Sequence, residues 1–239
     1  FGQGQGRPAL NLPSTEVLLL LGILAFYVYD AALLLYADEV VFMRKARRWS
    51  AAIGDGAIVG GRYLAFPALL SPGSPVFRAA WDADLGGEVR PTTATVLGVL
   101  RPLRWQAWLL ALALFAVVPL ALALHFPPTW LLGVLAVIYL PTALAMLHIA
   151  RRREILGLTR REVAAIAFDV LACPPFALNL VRRVSLRCGL ADAAPVFADA
   201  VLDAASRARL QQSLDARRAL LAGDPEPSAK HQDGSGGAA

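Results

Sequence analysis

The sequence predicts an all-α integral membrane protein: three transmembrane helices with interfacial and cytosolic helices, and a short β-hairpin in the loop between helices 1 and 2. Three observations predict it. The chain is 57% hydrophobic and 17% charged, far more apolar than a soluble domain at about 45–50% apolar and 25% charged. Three long apolar stretches, residues 17–37, 105–124 and 130–150, have 20 or 21 residues each. At about 1.5 Å per residue each reaches roughly 30 Å, the thickness of a hydrocarbon core. Basic residues gather at the ends of these stretches that share one side of a bilayer.

The first span follows a single basic residue, Arg7, and precedes Arg44, Lys45, Arg47 and Arg48, so the positive-inside rule places the amino terminus out and this end in. The chain starts at Phe1. The first stretch is too long and has too few basic residues upstream for a cleaved signal, and is read as a retained helix. The second span follows Arg101 and Arg104, the third ends in Arg151, Arg152 and Arg153, and the five residues between them, 125–129, carry no Lys or Arg. All three agree on a bacterial inner-membrane topology with the carboxyl terminus inside. Trp49, Trp105 and Trp108 fall at the inner boundary and Trp130 at the outer one, where amphipathic rings prefer to sit. Pro119 and Pro141 interrupt the hydrogen-bond ladders of the second and third spans.

The organisation follows from these spans: a short external segment (1–16), the first helix and its inner flank (17–43), a cytosolic loop (44–104), a helical hairpin (105–150), an interfacial broken-helix region (151–194), a cytosolic amphipathic helix (195–222) and a disordered tail (223–239). In the cytosolic loop, residues 59–66 and 76–81 are β-branched and aromatic and are separated by a Pro-rich turn, which is the hairpin signal. Residues 163–181 are apolar but hold Asp169, Asn179 and Pro174-Pro175 and are flanked by Arg160-Arg161 and Arg182-Arg183. Basic residues on both sides argue against crossing, and Pro175 breaks the helix near Cys173. From Pro195 the apolar residues share one helical face that Asp203 and Arg217 interrupt.

Asp30 is the residue with chemistry to explain, because a carboxylate in an apolar span costs about 2.5–3.5 kcal/mol and must face a partner, a cavity or water. Tyr27 lies one turn before it. By depth alone, Asp30 at about 20 Å and His148 at about 27 Å from the outer boundary can meet near the inner leaflet. Asp30, Tyr27 and His148 are therefore the candidate intramembrane polar site. Arg44, Lys45, Arg47, Arg48, Arg151, Arg152 and Arg153 are the candidate contacts to anionic lipid headgroups.

No catalytic, metal or cofactor signature emerges. His125 and His148 lie 23 residues apart along one hairpin, too far to share an ion. Cys173 and Cys188 lack zinc spacing, and in a reducing cytosol they form no disulfide. Residues 54–62 fit neither a dinucleotide fingerprint, with Val59 at the third glycine, nor a P-loop, with Arg62 and Tyr63 where Lys and Ser or Thr belong; they are read as a turn. The net charge of +5 is dispersed over helix ends, which argues against nucleic acid. The expected function is a membrane-anchored interaction or assembly platform, with membrane lipids and a protein partner or second copy as partners. The alternative is an oligomeric transporter or channel subunit with an Asp/His proton or ion path.

Overall fold

The computed structural model describes residues 15–45, 48–54, 56–67, 69–83, 90–127 and 129–223. Ten helices account for most of it: α1 (Thr15–Ala31), α2 (Thr93–Leu100), α3 (Leu103–Leu112), α4 (Val118–Ala123), α5 (Thr129–Arg151), α6 (Arg160–Ala172), α7 (Pro174–Ala177), α8 (Leu180–Cys188), α9 (Ala194–Val201) and α10 (Ala204–Gly223). Six strands accompany them, so the fold is not all-α: β1 (Leu33–Leu35), β2 (Glu39–Lys45), β3 (Arg48–Ala52), β4 (Ile58–Val59), β5 (Arg62–Ala65) and β6 (Val76–Ala80). They form two antiparallel three-stranded sheets, ordered β1-β5-β4 and β3-β2-β6.

Among the described residues two helices are long and apolar enough to cross a membrane: Leu103–Ala123, which runs through α3, a π-helical segment (Ala113–Val117) and α4, and Leu132–Arg151 within α5. The expected first span is shorter than the sequence implies. Its helix ends at Ala31, leaving an apolar length Val17–Ala31, about 22 Å at 1.5 Å per residue. Leu33–Leu35 instead pairs with Tyr63–Ala65. A short apolar run carries no periodicity that distinguishes helix from strand, and pairing across some thirty residues decided it.

The expected β-hairpin is also reassigned. Residues 62–65 and 76–80 do not pair with each other: β5 joins β1 and β4, whereas β6 joins β2. Strand β2 comes from the segment read as the inner flank of the first span, and its Val40, Val41 and Phe42 are all fully buried. Val40 and Phe42 face the main core while Val41 packs with Leu35, Ala65 and Val76. The true tight hairpin is β4–β5, where Val59 opposes Arg62 across Gly60-Gly61, both at positive φ. Two consecutive left-handed residues are what a two-residue primed turn requires, which gives those glycines a backbone role.

Pro119 is accommodated by the π-helical segment just before it, a wider turn that absorbs the missing N–H. Pro141 sits within a continuous α5, and the next residue, Thr142, donates its hydroxyl to the Ile138 carbonyl at 2.7 Å. At Cys173 the chain turns extended (φ −133°, ψ 94°) and α7 starts on Pro174. The expected continuous helix after Pro195 is split. Asp203 Oδ1 accepts from the Ser206 N–H at 2.7 Å, capping α10 and ending α9.

The carboxyl-terminal helices cover the sheets. Phe197 of α9 stands edge-on to Phe42 and Trp49, with ring centroids 5.1 Å apart in each case. Arg217 of α10 lies 3.6 Å above the Tyr63 ring and donates to the Gly54 carbonyl. Helix α8 reaches the other sheet edge, where Ser185 Oγ accepts from the Val76 N–H and donates to the Val76 carbonyl, both at 2.8 Å. One hydroxyl thereby satisfies both backbone groups that edge strand β6 would otherwise bury unpaired.

Candidate functional site

The polar centre of the molecule lies where α1 ends. The break at Cys173, Pro174 and Pro175 turns the chain so that α7 packs on α1 and α8 runs back beneath it. This brings Arg182 and Arg183 to the foot of α1, where Asp30 occupies the last turn. The Arg183 guanidinium bridges two carboxylates, pairing with Asp30 Oδ1 and donating to Asp169 Oδ2 at 2.6 Å, and lies 4.5 Å from the centroid of Phe176. Burial alone would lower its pKa, but hydrogen bonds and charge from Asp30 and Asp169 outweigh burial and raise it. Arg183 is therefore a fixed cation.

Arg182 does different work. It is only 4% exposed, and it donates to three carbonyls: Ala31 at 2.9 Å, Pro67 at 3.2 Å and Asp30 at 2.5 Å. Two of these are terminal carbonyls of α1, a helix whose last turn has no basic residue of its own. Arg182 supplies the cation that a helix carboxyl end favours and ties the Pro67 loop to it. Burial pulls its pKa below the ordinary arginine value, with the charges of Asp30 and Tyr27 opposing. Three buried atoms around the pair, Asp30 Oδ2, Arg183 Nε and Asn179 Nδ2, make no protein hydrogen bond, so the cluster retains spare donor and acceptor capacity.

The candidate residues read from the sequence are distributed as follows. Asp30 and Tyr27 belong to this centre: the Tyr27 hydroxyl donates to the Leu69 carbonyl, and its ring meets Phe115 of the π-helical segment edge-on at 5.5 Å. His148 has a separate partner, its Nε2 lying 3.1 Å from the Val99 carbonyl at the end of α2. Arg44 is on β2 and Arg48 is exposed on β3. Arg47 and the side chain of Lys45 lie outside the described residues. Arg151 and Arg152 are exposed at the end of α5, and Arg153 pairs with Glu154 at 2.6 Å.

The sequence reading missed Arg182 and Arg183 as site residues, treating them only as markers of membrane side. The available signal was Asp30 and Asp169, two acids in apolar segments that each need a cation.

Chemically the centre holds a charge network rather than a reactive group. Among the described residues no three His, Cys, Asp or Glu side chains are placed to hold a metal ion. Cys188 is buried, and desolvation, with the charge of Glu162 adding, pushes its thiol up to about 12. That thiol stays neutral and unreactive. Its contribution to stability is full below its ordinary value near 9.0 and fades as pH rises toward about 12, because only the unfolded chain ionises in that window. In mildly alkaline buffer a maleimide is expected to modify half-buried Cys173 and spare Cys188 until denaturant is added, as read by intact mass; full modification of both thiols in the folded protein would contradict this. No protein-family model, curated protein or solved structure matches this chain.

Proposed function

We propose that this chain is a membrane-anchored interaction or assembly platform of a bacterial inner membrane. The helical hairpin is its anchor, and the sheets with α6–α10 are its cytosolic body. The observation that carries the membrane reading is exposure: only 33% of each of the two spanning windows is buried, whereas the core helix of a soluble protein of this hydropathy would be covered by its own chain. Leu112, Leu120, Leu132, Leu140 and Leu144 all face outward, and a bilayer is the solvent that fits them. Arg101, Arg104 and Arg151–Arg153 then mark the cytosolic side and the turn near His125 the opposite one. Helix α1 lies beside the hairpin with Leu18, Leu21 and Leu24 exposed to lipid, its amino end directed outward. The platform is favoured over an ion path because Asp30 and His148 are engaged by different partners.

Two measurements test the proposal. In sealed vesicles an impermeant maleimide is expected to label Gln212→Cys on α10 only in inside-out preparations and Phe126→Cys only in right-side-out ones; the reverse pattern overturns the orientation. In mild detergent the particle mass should exceed that of one chain because a partner or second copy remains bound. A strictly single chain that conducts protons in liposomes supports the transporter alternative instead.

A further inference from the structure

The arginines of this protein differ in their partners. Arg78, Arg153, Arg183, Arg207 and Arg218 each pair with a carboxylate. Arg44, Arg101 and Arg104 have no such partner among the described residues, yet they line one cavity of about 420 Å³ with Leu97, Gly98 and Val181. Among the described residues no carboxylate lines it. Arg44 comes from β2, Arg101 and Arg104 from the α2–α3 junction, so tertiary folding alone gathers three cations there. The Nε of Arg44 is buried without a hydrogen-bond partner. Arg44 also lies 5.9 Å from the Trp49 ring centroid; guanidinium groups without a carboxylate among the described residues, around a concave, partly apolar wall, describe a receptor for a phosphate-bearing group, which they recognise by forked, charge-assisted hydrogen bonds.

The surroundings indicate where that phosphate comes from. Arg101 and Arg104 also line an adjoining cavity with Trp105 and Trp108, residues that are 82% and 54% exposed. These tryptophans stand at the start of the spanning helix Leu103–Ala123, the level at which indole rings meet headgroups. Resting on the membrane reading above, we propose that the cleft between Arg44, Arg101 and Arg104 binds the phosphate of an anionic glycerophospholipid, whose acyl chains lie along Trp105 and Trp108. Soluble phosphate shares the anionic chemistry but has no use for the apolar wall. Retained lipid would fasten β2 to the foot of the hairpin.

The test uses the full chain reconstituted in phosphatidylcholine vesicles containing phosphatidylglycerol and then purified in mild detergent, with bound lipid quantified by mass spectrometry. Wild type is expected to retain phosphatidylglycerol selectively. Arg101→Gln with Arg104→Gln should lower that retention about 30-fold, the effect of removing two headgroup-facing cations. Gly98→Leu leaves every arginine in place, and a Cβ at Gly98 meets nothing within 4 Å, so it should fold normally while filling the cleft and displacing the lipid. Arg160→Gln with Arg161→Gln removes as much charge from the exposed start of α6 and should change nothing.

Equal loss in that control, or full retention in both cleft variants, overturns the site. Displacement of the lipid by millimolar inorganic phosphate would assign the cleft to the free ion and overturn the lipid source. Carbonate extraction reads the membrane assignment separately: wild-type protein that stays in the pellet but retains no phosphatidylglycerol overturns the lipid site alone, whereas wild-type protein that is released overturns both.

Discussion

Replacing Asp30 by Ala is expected to lower the unfolding free energy by about 3–5 kcal/mol, the cost of leaving one member of a buried ion pair without the other. The Asp30 and Arg183 side chains are 9% and 19% exposed, so water cannot take over the role of the lost carboxylate. Asp169 remains on Arg183, but at 40% exposure its pairing is screened, and Asp169→Ala should cost only about 1 kcal/mol. The pair Asp30→Leu with Arg183→Met should recover much of the loss, because an apolar replacement removes the buried charge together with its partner. Denaturant unfolding in a fixed detergent reads all three variants against wild type. An Asp30→Ala protein within about 1 kcal/mol of wild type, the scale of a surface pair, would mean that the network does not hold α1 to α8.

Arg182→Ala is expected to cost about 3 kcal/mol, combining the desolvation of carbonyls left unpaired with the loss of a cation at a helix carboxyl end. Unlike the Asp30 effect, this one should be local. Hydrogen exchange should accelerate at the junction of α1 and β1 and in the loop near Pro67, because the Asp30, Ala31 and Pro67 carbonyls share this one donor group. Arg182→Lys should restore only part of the stability, since a single ammonium cannot reproduce two guanidinium nitrogens reaching carbonyls on separate segments. Equal stability of the Lys, Ala and wild-type proteins would show that these carbonyls need no cap.

The break at Cys173 was legible because proline carries its constraint wherever it stands. The ends of the helical hairpin were legible for a similar reason: length, apolarity and terminal arginines are local properties. Gly60-Gly61 could be read as a turn, although its two-residue hairpin geometry needed the pairing partner. Asp203 was visible as an interruption of an apolar arc, and the structure showed the interruption to be a cap that divides the helix. Leu33–Leu35 was not legible, since three leucines satisfy a helix and a buried strand equally and the choice rests on Tyr63–Ala65. The partners of Asp30 and Asp169 were hidden for the same reason, lying 153 and 14 residues away in Arg183.

By itself the sequence determined which segments are apolar, how long they are, where prolines interrupt them and at which of their ends arginines collect, because each of these is a property of adjacent residues. Only the tertiary structure decided that the first apolar stretch ends in a strand, that two neighbouring arginines divide into a carboxylate bridge and a helix cap, and that Arg44, Arg101 and Arg104 share one cleft. Those outcomes depend on contacts between residues far apart in the chain, and a hydrogen bond or ion pair is specified by position in space, which composition and periodicity do not encode.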